Sequence, residues 1–211
     1  MSPQETSRNA MLSRIRTALG RREGQLPPPL PEIYLRPSRP NLSMFFACIE
    51  RLNGKTLKAG SPADALAYVA ALVKGKRAVA SNSTVLRDCG ISALEEVTCA
   101  GADKTVLRAL CAESDIGISS ADYGLADTGT LVMLSSHQEP RMISLLPPLH
   151  IAIVPENRII GNLDELLTLL PAPVEQTSSM VLITGPSRTG DIEQILVRGV
   201  HGPGELHVVV I

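Results

Sequence analysis

SPADALAYVAALVKGKRAVAS, residues 61–81, reads as a helix leading straight into a buried strand, and that pairing decides the fold class. Ser61 suits a helix cap, Pro62 suits the first helical position, and Asp64 places a carboxylate at the positive end of the helix dipole. Leu66, Val69, Ala70 and Val73 recur at helical spacing as one buried stripe, which Gly75 ends. Residues 77–81 then form a short aliphatic run, as a strand covered on both faces requires.

The same alternation extends in both directions. A helix is expected from Ser43, as its cap, to residues 53–54, another over about 103–112, and shorter ones near 139–146 and 163–170. Strands are expected at 77–81, 115–120, 129–134, 149–154, 179–184 and 205–211. Strand and helix in turn make βαβ units, so all six runs are expected in one mainly parallel sheet with helices on both faces, a three-layer α/β/α sandwich.

Composition agrees. Of 211 residues, 44% are hydrophobic and only 2% aromatic, so the core must be built from Ala, Val, Leu and Ile. That disfavours β-sandwiches and base-stacking nucleic-acid modules, which lean on aromatic side chains. With 20 basic and 21 acidic residues and a net charge of −1, no global field draws in nucleic acid or an anionic membrane. No apolar run approaches the roughly 20 residues of a membrane helix, and no signal-peptide core stands at the start, so a cytoplasmic protein is expected. Cys48, Cys89, Cys99 and Cys111 are scattered without a CxxC pair, so no zinc or iron–sulfur ligand spacing is present and no cofactor is expected through them.

The chain divides near residue 41. Residues 7–19 read as a helix with Met11, Leu12, Ile15, Ala18 and Leu19 on one face, capped by Thr6 or Ser7 and ended by Gly20. LPPPLPEIYLRPSRP (26–40) follows, and its six prolines force an extended chain. Residues 1–41 are therefore a helix and proline-rich arm, expected to run along the surface or to a partner or second subunit. Residues 42–211 form the α/β domain.

Three glycine-bearing segments carry the candidate chemistry. In SSADYGLADTGTLVMLSS (119–136), Asp127, Thr128, Gly129 and Thr130 form a turn that either grips a polar ligand or satisfies its own backbone. Asp127-Thr128-Gly129 also spells the aspartic-protease triplet, but that mechanism needs two such carboxylates and one is present. In MVLITGPSRTGDIE (180–193), Gly185 and Gly190 have P-loop spacing, yet Asp191 and Ile192 stand where Lys and Ser/Thr belong. Ser187, Arg188, Thr189 and amides at a possible helix start could still receive a carboxylate or phosphate, or the segment is a plain strand-to-helix connection. In GVHGPGELHVVVI (199–211), His201 is a candidate proton carrier beside Gly202, or simply a hydrogen-bonded loop residue. His137 and His150 show no carboxylate partner in sequence, and only proximity to His137 marks Glu139 as a base. The three loops are expected to meet beyond the carboxyl ends of the strands in one pocket. There Asp127 or His201 would handle a proton, and Thr128, Gly129, Thr130, Gly185, Ser187, Arg188, Thr189, Asp191 and Gly202 would hold the ligand.

ADYGLADTGTL (121–131), TGPSRTGDIE (184–193) and GVHGPGELHVVVI (199–211), in that order, resemble the lactate-utilisation protein C family, or LUD domain. The resemblance implies an α/β/α fold related to the sugar-phosphate isomerase and CoA-transferase superfamily. It also implies a part in oxidising L-lactate to pyruvate with iron–sulfur partner subunits, and a small anionic ligand. The alternative is a free-standing transferase, isomerase or ligase for a phosphorylated, folate or CoA-linked metabolite, because a fold does not fix a reaction.

Overall fold

A computed structural model describes residues 3–20, 40–101, 103–192 and 195–211. The chain separates into two units, Met1–Tyr34 and Leu35–Ile211. In the first, α1 (Pro3–Ala18) begins ahead of Thr6 and Ser7, so neither residue caps it, and Gly20 follows in the left-handed region at φ +64°. Met11, Ile15 and Leu19 on this helix and its end are exposed. The proline-rich segment falls outside the described residues from 21 to 39.

The second unit runs α2 (Leu42–Arg51), β1 (Lys55–Lys58), α3 (Pro62–Val73), β2 (Ala78–Ala80), α4 (Thr84–Asp88), β3 (Val97–Cys99), α5 (Lys104–Glu113), β4 (Ile116–Ser120), β5 (Tyr123–Leu125), β6 (Thr130–Leu134) and α6 (Met142–Leu145). It continues with β7 (Leu149–Val154), β8 (Ile159–Ile160), α7 (Leu163–Leu169), β9 (Met180–Ile183), β10 (Arg188–Ile192), β11 (Ile195–Arg198) and β12 (Glu205–Val210). The Ser61 hydroxyl accepts from the Asp64 N–H with Pro62 in the first turn of α3. The cap of α2 is Asn41 and not Ser43, because the Asn41 side chain reaches the Met44 N–H.

Six strands form the main sheet in the order β1-β12-β7-β4-β2-β3, every pair parallel. One face packs on α3 and α4 through Ala65, Val69, Val73, Leu86, Ile116, Ile118, Ile151 and Ile153. Val79 of β2, facing the other way, packs with Leu107 and Cys111 of α5 and Ile143 of α6. On that same side, Ala152, Leu206 and Val208 pack with Phe45 and Ile49 of α2. The fold is the expected layered α/β architecture with a parallel central sheet.

The single-sheet expectation needs correction. Runs 129–134 and 179–184 belong instead to a second sheet, β8-β5-β6-β9, while β10 and β11 form a separate antiparallel hairpin. Aliphatic runs report burial, not the partner strand. After β5 the chain turns within residues 126–129, which returns β6 antiparallel beside it; a parallel neighbour would need a long crossover. Leu131 and Met133 of the second sheet face the main sheet's core, while Leu125, Val132 and Ile160 pack on Leu166 and Leu170. β1 and β3, too short and polar to stand out in sequence, complete the main sheet.

Gly117 fixes the height of α6 above β4. A Cβ at this position would stand 1.9 Å from the Ile143 carbonyl oxygen and 3.0 Å from Pro147 Cγ. A glycine inside a strand marks such a close approach. Gly117→Ala is expected to destabilise the protein by about 2–3 kcal/mol, the cost of overpacking against backbone. Urea denaturation checks this, and a cost near zero would show that α6 shifts freely.

Candidate functional site

The sheet order contains one reversal. From β2 the chain moves outward through α4 to β3, then returns through α5 to β4 on the other side of β2. Right-handed crossovers in opposite directions must place their helices on opposite faces, as α4 and α5 are. The connections leaving β2 and β4 therefore diverge, and a crevice opens between the carboxyl ends of these two strands. Ligands of open α/β sheets bind at such switch points.

Glu139 occupies this place. Its Oε1 accepts the Ser81 hydroxyl at 2.8 Å, just beyond β2. The same oxygen accepts the Ser120 N–H at 2.9 Å and the Ser120 hydroxyl, at the end of β4. One carboxylate oxygen thus ties together the ends of β2 and β4 where their connections diverge. Its loop is held as well: the Asn82 N–H donates to the Gln138 carbonyl, and the Ser136 hydroxyl oxygen accepts from the Gln138 and Glu139 N–H groups. The other oxygen, Oε2, is buried and finds no donor among the described residues. Burial raises the Glu139 pKa above the usual carboxylate range, the Ser120 and Ser81 donors pull it back, and the Asp122 charge pushes it further up.

Around Glu139 lies a crevice of about 420 Å³, lined among others by Ser83, Thr84, Ser120, Asp122, Tyr123 and Arg158. Asp122 accepts the Leu134 N–H at 2.7 Å, and burial raises its pKa too, against the pull of that bond and of Arg158. The Arg158 guanidinium stands 5.5 Å from the Tyr123 ring centroid and donates to the Tyr123 hydroxyl at 3.4 Å. An aromatic face and a hydroxyl thus steady one cation at the rim. The crevice can offer an anion this cation and offer a proton acceptor or donor at a poised carboxyl group.

The three glycine-bearing loops lie elsewhere. The Gly204 N–H donates to the Pro148 carbonyl, so residues 201–204 sit where β7 and β12 begin, at the amino end of the parallel sheet and not its carboxyl end. A pocket of about 310 Å³ there is lined by Thr184, Gly185, Ser187, Arg188, His201, Gly202 and His150. Asp127 does not line it. The Asp127 side chain is exposed, and its main chain bonds to the Gly161 carbonyl and the Cys48 thiol. Thr128 bonds Thr130, which bonds Thr184 at 2.8 Å, so a hydroxyl chain joins the first loop to the second without opening it to the pocket. Gly129, at φ +68°, lies against α2, where a Cβ would stand 2.8 Å from the Ile49 nitrogen. Residues 185–192 enter a β-hairpin in which Thr189 pairs with Val197, and not a helix, so the expected amides at a helix start do not exist. Arg188 donates to the Leu52 carbonyl. The Asp191 side chain lies outside the described residues. His150, fully buried, bonds Ser119 through Nε2 at 2.7 Å, and burial depresses its pKa to about 3.

Sequence reasoning missed Ser81, Ser120 and Arg158 and left Glu139 without a partner. The available signal was a run of small polar residues directly after an aliphatic strand. Such runs occur in Ser81-Asn82-Ser83, Ser119-Ser120-Ala121-Asp122 and Ser135-Ser136.

The chain is thus an open-sheet α/β sandwich with a parallel main sheet and the Glu139 carboxyl group at its switch point. The chain belongs to the LUD domain family, whose model matches residues 42–211. It is 44% identical over 95 residues to lactate utilization protein C of Halalkalibacterium halodurans, covering 43% of this chain and 41% of that protein. With the namesake from Bacillus licheniformis it shares 34% over 116 residues, covering 53% of this chain and 48% of the relative. The chain thus spans less than half the length of these curated relatives in alignment. A crystal structure of a DUF162 family protein from Deinococcus radiodurans superposes with a TM-score of 0.59 at 19% identity, covering 80% of this chain and 94% of that one, which supports the fold. No described helix is long and apolar enough to cross a membrane.

Proposed function

We propose that this chain serves lactate utilisation, as the component that binds the small organic acid while L-lactate is oxidised to pyruvate with iron–sulfur partner subunits. The observation that carries the reading is Glu139, one oxygen held by three donors at the ends of two neighbouring strands and the other without a donor among the described residues. The relatives' names supply the substrate class. In the crevice, Arg158 pairs with the carboxylate of the acid. Glu139 takes the proton of the α-hydroxyl group while the C2 hydrogen leaves as hydride to a two-electron acceptor that passes its electrons on to the partners. In reverse, Glu139 returns a proton to the keto oxygen. This places the anionic ligand at the carboxyl end of the sheet in preference to the glycine-rich pocket around Ser187, His201 and Gly202.

Calorimetric titration of the full chain with L-lactate and pyruvate tests this. Saturable binding is expected, weakened about tenfold or more by Arg158→Ala, the worth of one charged hydrogen bond. A protein that ignores both acids but binds a folate or CoA-linked metabolite tightly is the free-standing enzyme instead.

A further inference from the structure

The crevice does not end at Glu139. Ser135, Ser136 and Gln176 line it and also line a larger hollow of about 920 Å³. Lys104, at the start of α5, and Arg141, just before α6, project from its walls with His137, and all three are exposed. Glu175 is the one acidic residue lining it among the described residues. Ion pairs among the described residues lie elsewhere, at Lys55, Lys58 and His207, so Lys104 and Arg141 have no carboxylate partner there. Asp103 occupies the first amides of α5, accepting from Thr105 and Val106 at 2.7 and 3.1 Å, which leaves the lysine to face the hollow's contents. Leu107 and Met142 add apolar wall.

A three-carbon acid occupies a small part of such a space, whereas pockets of several hundred Å³ hold drug-sized ligands. We infer that the hollow binds the phosphate-bearing end of a nucleotide-sized ligand whose other end reaches the Glu139 crevice. Lys104 supplies a point charge and Arg141 a planar fork, the two modes by which side chains hold phosphate oxygens. The role of this ligand, though not its binding, rests on the reading proposed above. Oxidising L-lactate breaks the C2–H bond as hydride and the O–H bond as a proton, and C2–O becomes a carbonyl. The proton goes to Glu139. The hydride needs a two-electron acceptor beside C2, since iron–sulfur clusters take electrons singly. An oxidised flavin or nicotinamide nucleotide accepts it, becomes reduced, and passes the electrons on.

The test is calorimetry on the full chain with ADP, FMN, NAD+ and inorganic pyrophosphate as probes. Saturable binding is expected for at least one, weakened about tenfold or more by Lys104→Ala and by Arg141→Ala. Both side chains are exposed, and circular dichroism confirms that each variant folds. FMN or NAD+ binding more tightly than ADP identifies a redox nucleotide. ADP binding as tightly or more so identifies a non-redox nucleotide on the same phosphate site. No saturation below about 1 mM with any probe, or binding unmoved by both substitutions, overturns the inference. Lactate and pyruvate titrations report on the crevice separately, so either idea can fail without the other.

Discussion

Glu139→Gln is expected to abolish growth on L-lactate, in a host lacking its own lactate utilization protein C, while leaving the protein folded and more stable at neutral pH. The amide keeps an oxygen for the Ser81 and Ser120 donors, so the tie between the two strands survives. It cannot carry a proton. General acid–base groups contribute about 10²–10⁴-fold to rate, and a loss of that size is expected in the reconstituted oxidation, with pyruvate binding retained. The stability effect has a definite sign. The Glu139 pKa is raised in the fold by burial, so the folded state favours the neutral acid. That stability is fully present below the unfolded value near 4.5 and is lost as pH rises through the folded value. The variant has nothing to lose, so its advantage over the wild type grows with pH, as urea midpoints at pH 4.5 and 7.5 can show. Equal midpoints at both pH values together with retained growth would mean that Glu139 is an ordinary strand tie.

His150 carries the other large effect, with the opposite sign. Complete burial holds its pKa near 3 against 6.5 in the unfolded chain, so only the unfolded state binds a proton as the solution is acidified. Stability is whole above pH 6.5 and is lost as pH falls toward 3, by on the order of 4 kcal/mol over that window. Carboxylates titrate in the lower part of the same range, so the comparison must be with His150→Gln, which keeps a group to bond Ser119. The variant is expected to show a shallower decline between pH 6.5 and 4.5. Parallel curves would show that the imidazole is charged, or solvated, within the fold.

The sequence made some of this legible for local reasons. Ser61, Pro62 and Asp64 are caps whose partners lie within three residues, so the start of α3 could be read directly. β7 and the end of the chain are mostly aliphatic runs, as strands buried on both faces require. The second sheet was not legible, because β6 and β9 have the same aliphatic texture and their partners are set by turns and crossovers. Residues 184–192 misled because a glycine loop after a strand looks alike whether a helix or a hairpin follows. Glu139 was hidden by distance: its partners Ser81 and Ser120 stand 58 and 19 residues away, and only the reversal in strand order brings them together.

The most direct measurement is a titration of isotope-labelled protein with pyruvate and with L-lactate, following the backbone amide resonances. The account predicts saturable shifts at Ser83, Ser120, Asp122, Tyr123 and Gln138, around the Glu139 crevice, which Arg158→Ala displaces to higher ligand concentration. Saturable shifts confined to Ser187, His201 and Gly202 at the amino end of the sheet, or none at all, would contradict it.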